Sequence, residues 1–175
     1  VLYGDLSFVY GRNGPVPQAL DLKRRSLAIS RRLYGPDHPS VLSVEATMAN
    51  TYHSLDMSDS ALVLMDHCIA GYQRWYEGRS YDLAMYLENR ADNHADLEMP
   101  IEAIEGARRA IHMIDRDYRF ERMGRAASAS VLARAYRTLG ARDSAWYYVE
   151  NSIDSMRAIL GTERHPNLIM THLVK

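Results

Sequence analysis

The sequence predicts an all-α fold, an α-solenoid built from about four helical hairpins, and three observations carry that prediction. First, matching residue types recur at a fixed interval of 42: Tyr10, Tyr52, His94 and Tyr136; Ala19, Ala61, Ala103 and Ala145; Leu27, Ile69, Ile111 and Ile153. An internal period of that size is the signature of a stacked repeat. Second, the apolar residues inside each period step by three and four, which places them on one helix face. Third, helix-stopping and helix-starting residues punctuate the chain at the same interval, as in Leu33-Tyr34-Gly35-Pro36-Asp37-His38-Pro39-Ser40.

The period divides the chain into repeats at about 1–39, 40–81, 82–123 and 124–166, with a partial one at 167–175. In the second repeat Val41, Val44, Met48, Tyr52 and Leu55 mark a first helix, and Leu62, Met65, Ile69 and Tyr72 mark its partner. The short Asp56-Met57-Ser58 turn between them forces an antiparallel αα-hairpin. The same pattern predicts helix pairs over 83–97 with 100–117 and over 125–139 with 142–160. The first repeat lacks its opening residues, so the chain is expected to be a piece of a longer one. Leu2, Tyr3, Leu6 and Val9 at one end, and Leu168, Ile169, Leu173 and Val174 at the other, form apolar faces without a neighbouring hairpin. Self-association through these ends is expected.

Gly35 is placed to end a helix in the left-handed conformation, and Pro36 follows because it cannot continue one. Ser40, Asp82 and Asn167 are expected to cap first helices. Pro17 and Pro100 fall in the first turn of second helices, where a missing N–H costs little. The linker at 118–124 keeps only Gly124 of this pattern. Small residues at Ala61, Ala103 and Ala145, facing Ala49, Ala91 and Ala133, let the helices of a hairpin approach closely. The clusters Trp75-Tyr76 and Trp146-Tyr147-Tyr148 are expected to serve core and inter-repeat packing, Trp146 included.

Charge and composition narrow the function. A formal net charge of −1 gives no long-range field for nucleic acid or an anionic membrane. No apolar run is long enough to cross a bilayer. Cys68 is the only cysteine, so no intrachain disulfide can form and a reducing, cytoplasmic setting is expected. It occupies a small-residue packing position, as a buried inert thiol would. The adjacent His67 points about 100° away on a helix and is no base for it. His53, His67 and His112 share no metal-ligand spacing, and no phosphate loop or nucleophile elbow occurs. Neither catalysis nor a cofactor or metal is expected.

The small–aromatic–Ala pattern resembles the tetratricopeptide repeat. The long period, the Ser26-Leu27-Ala28-Ile29 run and the Gly35-Pro36-Asp37-His38-Pro39 loop resemble specifically the kinesin light chain type of that repeat. The resemblance implies a right-handed superhelix whose first helices line a concave groove for a peptide segment or partner domain. A second role, ranked behind this one, is that of a sensor region controlling a fused enzyme such as a bacterial kinase or caspase-like peptidase. The partner would then be another domain of the parent chain.

Carrying the family's inward positions across gives Gly4, Phe8 and Arg12 in the first repeat, and Ser43, Ala46, Asn50 and His53 in the second. The third contributes Glu88, Asp92 and Asp96, and the fourth Ser130, Arg134 and Arg137. Glu88, Asp92 and Asp96 fall at i, i+4 and i+8, one acidic stripe on a helix, with Arg134 and Arg137 facing it. Such a groove favours a peptide carrying Lys or Arg beside a polar or acidic group. Alternatively Asp92 and Arg134, one period apart, simply pair across the repeat boundary. Of the asparagine pairs with which such repeats clamp a peptide backbone, only Asn89 is present; Gly4-Asp5, Ala46-Thr47 and Ser130-Val131 occupy the other positions.

Overall fold

The structure is a computed structural model that describes residues 16–78, 80–118 and 122–160. All regular structure among these residues is helical. Packing divides the chain into two compact units, 1–78 and 79–175. The first holds α1 (Val16–Tyr34), α2 (Pro39–His53) and α3 (Ser58–Trp75). The second holds α4 (Tyr81–Asp96), α5 (Pro100–Asp117), α6 (Arg122–Thr138) and α7 (Arg142–Leu160). Three of the expected hairpins are present among the described residues, as α2 with α3, α4 with α5, and α6 with α7, while the first helix of the first repeat lies outside them. In the first unit α1 also packs on α2; in the second, α6 packs on both α4 and α5.

The hairpin turns are built alike. The N–H of Met57 bonds the carbonyl of Tyr52 at 2.9 Å, Met99 that of His94 at 2.9 Å, and Ala141 that of Tyr136 at 3.0 Å. Shorter-range bonds from Asp56 to His53, Glu98 to Ala95 and Gly140 to Arg137 complete a Schellman motif at each turn. That motif requires a left-handed residue, and Asp56, Glu98 and Gly140 supply it with φ of 57°, 56° and 71°. Only the last is a glycine. Gly35 ends α1 with φ 85°, as the sequence predicts.

Helix starts differ from expectation. His38, not Ser40, is the N-cap of α2: its ring Nδ1 accepts the Ser40 N–H at 3.2 Å, and Pro39 opens the helix. Ser80 replaces Asp82 as the capping residue of α4, leaving Asp82 in the first turn, where its charge favours the helix dipole. Gly124 lies inside α6 rather than in a linker. A side chain there would crowd Ile114 and Met85, so close helix packing explains the glycine. The cap Asn167 and both apolar ends lie outside the described residues.

The alanines behave as the period demands. Ala49, Ala61, Ala91, Ala103 and Ala133 are fully buried and Ala145 nearly so. In the second unit Ala91, Ala103, Ala107, Val131, Leu132 and Ala135 form one core cluster. In the first, Leu20, Leu27, Val41 and Met48 form another. The tryptophans depart from expectation. Trp146 is 45% exposed, its indole N–H donating to Glu150 Oε1 at 2.8 Å. Trp75 is also exposed and donates to the Asp37 carbonyl at 2.6 Å, edge-on to His38. Each indole N–H needs a polar partner, and these lie at the surface.

Candidate functional site

On α4, Glu88, Asp92 and Asp96 share one face, but the stripe is not uniformly exposed. Glu88 is buried, and its carboxyl is pushed up to about 8 by burial and by the charge of Asp92, against the pull of Arg134. Asp92 and Asp96 are partly open. Arg134 on α6 bridges them: Nη1 donates to Asp96 Oδ1 at 2.9 Å, while Nη2 pairs with the Asp92 carboxylate and reaches its carbonyl at 3.4 Å. The pairing across the repeat boundary is therefore present. Of the two expected arginines, Arg134 carries these ion pairs. Arg137 lines an open cavity of about 620 Å³ with Arg142, Trp146 and Val149.

Asn89 is half-buried, and its carbonyl accepts the Asn93 side-chain amide at 2.7 Å. In the first unit Asn50 is exposed and His53 partly so, both near the C-terminal end of α2. Ala46, expected on the groove surface, is buried in the helix packing. Phe8 and Arg12 lie outside the described residues.

The first unit holds an ionic network that sequence reasoning missed. Glu45 is fully buried, and its two carboxylate oxygens meet Arg31 Nη2 and His67 Nδ1, each at 2.5 Å. His67 Nε2 lies 3.4 Å from Asp37 Oδ1, which also accepts from Arg74 at 2.8 Å. The chain of contacts ties α1, α2, α3 and the intervening loop together. Its signal was available: Glu45 falls between Val41, Leu42, Met48 and Ala49 on the apolar face of α2, where an acid must find partners.

Cys68 is buried, as expected, and its thiol donates to the Leu42 carbonyl at 3.1 Å. Burial first, and the Glu45 charge second, push it up to about 12, so it stays an unreactive thiol at neutral pH. Among the described residues no group of three His, Cys, Asp or Glu is placed to hold a metal. No described helix is long and apolar enough to cross a membrane.

Comparison with known proteins accords with this architecture. Two models of the tetratricopeptide repeat match the chain, at residues 1–74 and 125–167. No curated protein matches it. Among solved structures, BtubC (BKLC) from P. vanneervenii is similar with a TM-score of 0.80 at 17% identity. The match covers 94% of this chain, which spans 65% of the length of that protein. Nearly identical TPR-like repeats of a candidate kinesin light chain from Podosopora anserina match with a TM-score of 0.76 at 22% identity, over 98% of this chain and 81% of that one. A point variant of the same repeats gives 0.78 at 22% identity, with the same coverage.

Proposed function

The chain belongs to the tetratricopeptide repeat family, in its kinesin light chain-like form, and from that premise we propose that it binds a basic peptide segment of a partner protein along its first helices. Repeats of this family mediate protein–protein interaction and typically act as non-enzymatic scaffolds. The finer reading rests on one observation: two partly open carboxylates, Asp92 and Asp96, share one face of α4 and both pair with Arg134. Both acids are partly exposed beside that arginine, while the buried Glu88 carboxyl, raised to about 8, adds little negative charge to the face at neutral pH. A Lys or Arg side chain of an incoming peptide competes with Arg134 for Asp96, the more exposed acid. Asn89 is the polar residue of the same helix that would meet the rest of the segment. Asn50 and His53 offer the equivalent polar surface on the first helix of the first unit.

The competition sets the sign of the test. Fluorescence anisotropy with a labelled Lys/Arg-containing peptide should show binding that falls as salt rises. The double change Asp92→Asn with Asp96→Asn should abolish it, whereas Arg134→Gln should strengthen it. Arg109→Ala, on the exposed face of α5, should change nothing. Equal binding by wild type and the double variant would refute the basic-peptide reading.

A further inference from the structure

A second groove lies in the second unit, away from the acidic stripe. Residues of α5, α6 and α7 enclose a cavity of about 320 Å³, with Ala129 and Leu132 of α6 as its buried floor. The reason for this space is visible two repeats earlier in the chain. The register is set by two contacts that recur. Arg24 donates to Tyr52 Oη at 3.1 Å and Arg108 to Tyr136 Oη at 2.5 Å. Cys68 Sγ donates to the Leu42 carbonyl at 3.1 Å and Ser152 Oγ to the Ala126 carbonyl at 3.0 Å. In that register Ala129 stands where Glu45 stands, Asn151 where His67 does, and Asp115 where Arg31 does. The first unit fills the position with the carboxylate of Glu45 and its two partners, Arg31 and His67. The second has a methyl group there, and the space stays open.

The lining selects an occupant. Ile111, Ala129 and Leu132 are apolar, and the Tyr147 ring forms a wall that is 59% exposed. That ring is held edge-on by Tyr148 at 5.1 Å, and Tyr148 stacks on Tyr136 at 5.6 Å with a 2° interplanar angle. Such a pre-ordered aromatic surface loses little entropy on binding. The charges are not balanced. Arg125 pairs with Asp115, so that pair cancels. Arg108 donates to the Tyr136 phenol and lies 5.9 Å from its ring centroid, contacts with a neutral group that leave its charge uncompensated. The His112 imidazole also lines the groove.

We propose that this groove docks a second peptide segment, one in which a bulky apolar residue stands next to Asp or Glu. The volume is at the low end for ligand sites, enough for one large side chain. The apolar side chain covers Tyr147, Leu132 and Ile111, and the neighbouring carboxylate meets Arg108. This preference is opposite in charge to the one inferred for the α4 stripe, so the two sites are separable by experiment.

The test uses the full chain and two labelled capped peptides, Glu-Leu-Phe-Glu and Lys-Leu-Phe-Lys, followed by fluorescence anisotropy. The acidic peptide should bind, and Tyr147→Ala and Arg108→Ala should each weaken it about tenfold or more. Ala129→Glu, which restores the side chain of the first unit, should remove binding. Asp92→Asn with Asp96→Asn should leave it unchanged. Thermal melts confirm that each variant is folded; Tyr147→Ala, at an exposed position, decides the matter if Ala129→Glu is not. No binding of the acidic peptide by the wild type, equal affinity for the basic peptide, or binding insensitive to Tyr147→Ala would each overturn the proposal.

Discussion

Arg134 on α6 reaches back one full repeat to pair with Asp92 on α4, and the same guanidinium holds Asp96 a turn further along. One cation thereby ties two first helices together and restrains the acids proposed to receive a ligand. The side chains of Arg134 and Asp92 are 31% and 30% exposed, so solvent screens the pair. A double-mutant cycle on Arg134→Gln and Asp92→Asn, read by urea unfolding, should give a coupling of about 0.2–1 kcal/mol that shrinks in molar salt. A coupling of zero at low salt would show that the pair does not hold the helices.

Glu88 makes stability depend on pH. Its carboxyl ionises near 4.5 in the unfolded chain and near 8 in the folded one. The folded chain therefore holds an extra proton between those values. The stabilisation is fully present below about pH 4.5 and is lost as pH rises toward 8, by up to about 1.4 kcal/mol per pH unit. Glu88→Gln removes this dependence. Unfolding of both proteins from pH 4 to 9 should show the variant gaining on the wild type across that window and no further above it. A constant difference would mean that Glu88 is already ionised in the folded chain.

Ala61 is fully buried where α3 packs in its hairpin. Ala61→Leu adds three carbons to a contact with no room for them, and should cost roughly 1–3 kcal/mol. Val63→Leu, at a neighbouring exposed position, serves as the control. An unchanged melting temperature for Ala61→Leu would contradict the close approach of the two helices.

Glu98 holds the left-handed place in the α4–α5 turn that Gly140 holds in the α6–α7 turn. A side chain in that conformation is strained, and glycine relieves the strain at some entropic cost in the unfolded chain. Glu98→Gly should stabilise the protein by about 0.5–1 kcal/mol, and Gly140→Glu should destabilise it by a similar amount or more. Thermal unfolding would reveal the paired signs; two changes of the same sign would exclude backbone strain as the cause.

What the sequence alone determined here is what a helix decides locally or what a period repeats. The 42-residue recurrence, the apolar steps, Gly35 and the facing alanines placed seven described helices and the close contacts within their hairpins. The acidic stripe of Glu88, Asp92 and Asp96 was legible for the same reason, since helical spacing alone sets which residues share a face. Tertiary packing decided what those side chains experience. Glu88 is neutralised because neighbouring helices bury it, and Glu45 is tolerated only because Arg31 and His67 converge on it from two other helices. Trp146, expected in the core, is exposed, and its indole N–H meets Glu150 at the surface. The space above Ala129 likewise depends on residues from three helices. Burial sums contributions from chain segments far apart in sequence, and no window along one helix contains that sum.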